Sequence, residues 1–160
     1  MIRPTVALLL AAAAAAGAAA GPRGFRFEPD ARVELRRLWS ASRESGMERV
    51  ACLAGTMNED SVWVTGVRVL EGWADSLMIS ASQSLEECHP PEWVGTVHTH
   101  IALHGGVPYS TFSGADRGVN TLWWRRWSVD GTFCVLFTEQ DAYCEVDGPH
   151  GLRIFPHARY

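Results

Sequence analysis

Two histidines and an aspartate carry the most concentrated chemistry in this 160-residue chain. His98 and His100 stand two apart in Gly95-Thr96-Val97-His98-Thr99-His100, and Asp116 follows in Ser113-Gly114-Ala115-Asp116. On a strand, side chains two apart share a face, so both imidazoles can aim at one point. Two imidazoles and one carboxylate form a ligand set for catalytic Zn2+, with the fourth position left open for water. Ser113 and Asp116 have a second use, because Ser-x-x-Asp at a helix start fits a capping pattern. The two uses are compatible, since a cap fixes where Asp116 points. A hydrolytic centre also needs a base near the activated water. Glu48 is the upstream acid that fits, just past the helix break at Gly46 and at the mouth of the first long β segment. Glu44 is its competitor and is expected to be a solvated helix residue.

Positioning these groups requires elements that the pattern supplies. Residues 31–45 read as a helix, with Asp30 before it, Gly46 at its end and Val33, Leu35, Leu38 and Trp39 on its apolar side. Residues 49–56 and 61–70 are β-type and Val-rich, separated by the turn-prone Met57-Asn58-Glu59-Asp60. Residues 76–80 make a short third strand and residues 93–100 a fourth, which carries the histidines. Residues 25–29 read as a lead-in, and residues 101–112 as a Gly/Pro loop containing a spare imidazole, His104. A second helix spans 113–127, with Ser113 as N-cap and Trp123, Trp124 and Trp127 as its bulky side. Residues 132–138 and 143–146 form a hairpin, and residues 152–155 an edge strand. The expected fold is therefore a single α/β domain over residues 21–160, a mixed β-sheet flanked by two helices. Its element order lacks the regular βα alternation of a Rossmann fold.

Residues 1–20 stand apart. Arg3 precedes an apolar run, and Ala18-Ala19-Ala20 offers a cleavage site, the order of a secretory signal peptide. A mis-assigned start codon before an Ala-rich leader is the alternative, and would leave the protein cytoplasmic. No later segment is long and apolar enough for stable membrane insertion. Cys52, Cys88, Cys134 and Cys144 permit two disulfides in any of three pairings, or buried thiols. Cys134 and Cys144 flank the hairpin turn and can face each other across it. With 47 % apolar and 10 % aromatic residues the chain can bury a core, and its net charge of −4 argues against a nucleic-acid partner.

Taken together, Glu48, His98-Thr99-His100 and Ser113-Gly114-Ala115-Asp116 resemble the JAMM metalloproteases, the catalytic branch of the MPN (Mov34/JAB) family. Glu48-x-x-x-x-Leu53-x-Gly55 and Val94-Gly95-Thr96-x-His98-Thr99-His100 are similar to that family beyond the ligands themselves. The resemblance runs over residues 31–137. It implies an MPN-like domain in which His98, His100 and Asp116 hold Zn2+. Glu48 would take a proton from water and pass it to the leaving amine, and Ser113 would donate to the developing oxyanion. Ile101 stands where many members have Pro, and the twelve residues between His100 and Ser113 exceed the familiar eukaryotic spacing. The implied function is zinc-dependent hydrolysis of a peptide or isopeptide bond in a peptide or protein-conjugate substrate. A catalytically silent MPN scaffold and a secreted, disulfide-stapled binding domain are the alternatives.

Overall fold

The computed structural model describes residues 24–71, 81–150 and 158–160. The expected signal peptide (1–20) and the strands at 76–80 and 152–155 lie outside the described residues. The chain begins with β1 (Gly24–Phe27) and α1 (Pro29–Ser45). Pro29 occupies the first helical turn with Glu28 as N-cap, so Asp30 lies inside the helix it was expected to precede. The fixed φ of proline and its missing N–H suit that first position. Ala31, Leu35, Leu38, Trp39 and Ser42 are buried at helical spacing, whereas Val33 is exposed. Gly46 ends the helix at φ 67°, in the left-handed region that glycine enters without steric cost.

β2 (Val50–Met57) and β3 (Ser61–Val69) pair antiparallel. A short α2 (Ala81–Glu87) follows, and then β4 (Gly95–Thr99). The stretch expected as loop holds a small ribbon, β5 (Leu103–His104) and β6 (Val107–Pro108). α3 (Gly114–Trp127) leads to β7 (Gly131–Leu136), β8 (Asp141–Asp147) and β9 (Ala158–Arg159).

The sheet is mixed, as expected, in the order β1-β3-β2-β4-β7-β8-β9, with β1/β3 and β4/β7 parallel. It is nearly closed and barrel-like. Its two edges approach each other, with the rings of Phe27 and Tyr160 6.1 Å apart. One core joins α1 to residues from every strand of this sheet. A second core lies on the other face, where Trp123 of α3 and Leu85 of α2 meet Val50, Cys52, Phe133 and Val135. A side chain at Gly95 would strike the Thr132 backbone, so β4 and β7 approach there as only glycine allows.

Three helices are present among the described residues, where two were expected. α2 escaped the periodicity reading because seven residues with one buried leucine show no repeat. Its place is set by tertiary contacts, including the disulfide Cys52–Cys88, which ties the end of α2 to β2. β1 escaped because its partner, β3, begins 37 residues downstream. Cys134 and Cys144 are opposite residues of β7 and β8 and form the second disulfide. All four cysteines are bridged, which fits an oxidising, extracytoplasmic compartment. Among the described residues, no helix is long and apolar enough to cross a membrane.

Candidate metal centre

The centre forms where β4 ends, beside the start of β2 and the first turn of α3. Val50 is opposite His98 in the β2/β4 ladder, so Glu48 comes level with His100. Alternation along β4 sends His98 and His100 to the α3 side and Thr99 to the α1 side. Thr99 is fully buried, and its hydroxyl accepts from the Arg49 N–H at 2.9 Å and hydrogen-bonds the Ser42 hydroxyl at 2.7 Å. The Arg49 carbonyl accepts from the Thr99 N–H at 3.0 Å. These contacts lock the residue between the histidines to the chain next to Glu48 and to α1. Inspecting the opposite parity of the His-Thr-His strand could have found this anchor.

Ser113 caps α3 as expected. Its hydroxyl accepts from the Asp116 N–H at 3.2 Å, and the Asp116 carboxylate accepts from the Ser113 N–H at 2.6 Å. This reciprocal box aims Asp116 back at β4. The Nε2 atoms of His98 and His100 lie 3.0 Å apart. One Asp116 oxygen is 3.3 Å from His98 Nε2, and the other is 3.4 Å from His100 Nε2. Tetrahedral ligands about 2.0–2.1 Å from a metal sit roughly 3.3–3.4 Å from one another. The Nε2–Nε2 separation is a few tenths of an ångström under that spacing, and each Nε2 stands at it from a different oxygen of the Asp116 carboxylate. Among the described residues this trio is a group that could hold a metal ion, its ligand atoms all within 4.8 Å of one another.

The donor chemistry supports the same fit. The Tyr109 carbonyl lies 3.0 Å from His100 Nδ1 and accepts its proton. In the neutral ring that leaves a lone pair on Nε2, directed into the centre, a common orienting device for a metal-ligating histidine. Without a metal, burial pushes the His100 pKa down. The Asp116 carboxylate, the Tyr109 carbonyl and Glu48 push it up and prevail, so it lies above its ordinary value of 6.5. For Asp116, burial opposes ionisation, but hydrogen bonds from both histidines and from Ser113 outweigh it and hold the carboxyl far below its usual range.

Glu48 is half-buried and stands outside the trio, yet it interacts electrostatically with His100, His98 and Asp116. Burial is the main influence on it and raises its pKa above 4.5, against the pull of the two histidines. Glu44, the competitor, is exposed on α1. The fold thus brings together Glu48, His98, His100, Ser113 and Asp116. The backbone of His104 lies in β5, and its side chain is outside the described residues. Tyr109 contributes through a backbone carbonyl, which residue type does not encode, so the sequence carried no signal for it.

No protein-family model matches this chain, and no curated protein is found to match it.

Proposed function

We propose that this protein is a JAMM-type zinc metallopeptidase that cleaves peptide or isopeptide bonds with activated water. The observation that carries the reading is the convergence of both imidazole Nε2 atoms and the Asp116 carboxylate on one point, their ligand atoms all within 4.8 Å of one another. Zinc bound there would polarise the substrate carbonyl and bring the pKa of water toward ~7. His98, His100 and Asp116 would hold the ion. Glu48 accepts the attacking water's proton on its carboxylate and later donates it to the departing nitrogen. Its burial suits that task, because a base works best with a pKa drawn toward the working pH. The exposed Ser113 hydroxyl accepts from Asp116 N–H through a lone pair, which leaves its own proton available for a developing oxyanion.

The deciding experiment combines metal analysis with hydrolysis. Protein produced through an oxidising compartment should carry one zinc per chain and cleave members of a peptide library, and a chelator should abolish the cleavage. Zinc no higher than background would remove the reading. The two disulfides equally suit a stapled binding domain, which predicts no bound metal, while a silent scaffold predicts missing ligands, and Glu48, His98, His100 and Asp116 are all present. We further propose export with cleavage after Ala20. N-terminal sequencing should begin at Gly21, and intact Met1 in a soluble cytoplasmic fraction would contradict export.

A further inference from the structure

The residue before the α3 cap does more than fill the core. Phe112 is 7 % exposed, and its ring centroid lies 6.0 Å from that of His98. It also occupies the position before the N-cap, from which a hydrophobic residue commonly packs on the fourth helical residue and fixes the angle at which the chain enters the helix. That fourth residue is Arg117, and its guanidinium carbon sits 5.8 Å from the centre of the Phe112 ring. A cation on an aromatic face thus replaces the usual apolar pair.

The guanidinium is itself held. Arg117 donates to both oxygens of Glu145 on β8, at 2.9 and 3.1 Å. The Tyr143 hydroxyl donates to the same carboxylate at 2.5 Å, and the Tyr143 ring packs edge-on against Phe112 at 5.7 Å. Arg117 follows Asp116 directly in sequence, so whatever fixes Arg117 fixes the turn that aims Asp116. One assembly therefore touches two of the three candidate ligands from behind, His98 through a ring contact and Asp116 through the backbone.

We propose that Phe112, clamped by Arg117, Glu145 and Tyr143, is the positioning residue of the metal centre. It orients His98 and sets the angle of the Asp116 turn. This inference rests on the metal-binding reading above and adds the residues that shape the site. His100 is oriented by the Tyr109 carbonyl, and the Phe112 assembly supplies corresponding support to the other two members of the trio. The ion pair is partly open to solvent, with Arg117 52 % exposed, so its loss should alter fold stability little. Its effect should fall on ligand geometry.

The test measures zinc dissociation constants by competition with a chromophoric chelator, alongside absorption spectra of the cobalt-substituted protein. Melting of the metal-free protein is followed in parallel. Phe112→Leu keeps an apolar side chain but removes the ring. It should weaken zinc by about 10- to 100-fold, as loss of outer-shell support to a ligand typically does, and should shift the cobalt spectrum. Arg117→Met should weaken zinc by about three- to tenfold, and Arg117→Lys should recover part of that loss by restoring charge over the ring without the fork. Wild-type zinc affinity and a superimposable cobalt spectrum in Phe112→Leu would overturn the positioning role and leave the metal site standing. Should Phe112→Leu fail to fold, Arg117→Met decides by the same two readouts. A wild-type protein that binds neither metal overturns both this inference and the function it extends.

Discussion

Replacing Glu48 with Gln separates chemistry from folding, because the two should respond in opposite directions. Gln nearly matches Glu in shape, so the pocket is preserved. It cannot take a proton from water. General-base assistance supplies about 10²–10⁴ in rate, which corresponds to roughly 2.7–5.5 kcal/mol of barrier. Stability should move the other way. Burial raises the Glu48 pKa, so the folded metal-free protein holds this proton more tightly than the unfolded chain. The resulting contribution is fully present below pH 4.5 and is lost as pH rises through the folded value. At pH 7 the charged carboxylate is a burden that Gln removes. Metal-free Glu48→Gln should therefore melt above wild type at pH 7, with the gap closing toward pH 4. The assay pairs peptide-library turnover at full zinc occupancy with thermal scans in chelator across that pH range. Turnover equal to wild type, with zinc bound in both, would refute the base assignment. A melting point below wild type at pH 7 would refute the account of Glu48 burial.

Other perturbations have equally definite signs. His98→Ala and Asp116→Ala should each empty the metal site, as read by metal analysis of protein that retains its β-rich circular dichroism. Metal binding must displace the proton on His100, whose pKa is raised, so zinc should stabilise the protein more at pH 8 than at pH 6; equal shifts in melting temperature would contradict this. Ser113→Ala should cost about 1 kcal/mol of stability through the lost cap and about 10²–10³ in turnover through the lost donor, measured by denaturant unfolding and peptide hydrolysis. Opening the Cys52–Cys88 bridge by paired Ser substitution should destabilise the chain by about 1 kcal/mol more than opening Cys134–Cys144. The reason is that the bridges span 36 and 10 residues, and the longer loop restores more entropy to the unfolded state; denaturant midpoints of the two double variants give the comparison.

The sequence by itself determined what is periodic or local. The period-two spacing of His98 and His100 put both rings on one face whatever the rest of the chain did. Ser113 and Asp116 are three apart, so their reciprocal cap follows from helix geometry alone, and it was observed where expected. The buried stripe of α1 and the β7/β8 hairpin are short-range patterns, as is the opposition of Cys134 and Cys144 across that hairpin. Tertiary structure decided everything that depends on a distant partner. β1 is too short to announce itself and exists because β3 offers it an edge. α2 holds its place through Leu85 and the bridge from Cys88 to Cys52. Within the centre, residue types nominated ligands and a base but not their supports. Thr99 matters because Ser42, 57 positions away, meets its hydroxyl, and Tyr109 because its carbonyl reaches His100. Phe112 gains its place through Glu145, which holds Arg117 across 28 positions. A side chain's identity limits the bonds it can make, but which of them form depends on what packing brings within about 3 Å, and only the folded chain fixes that.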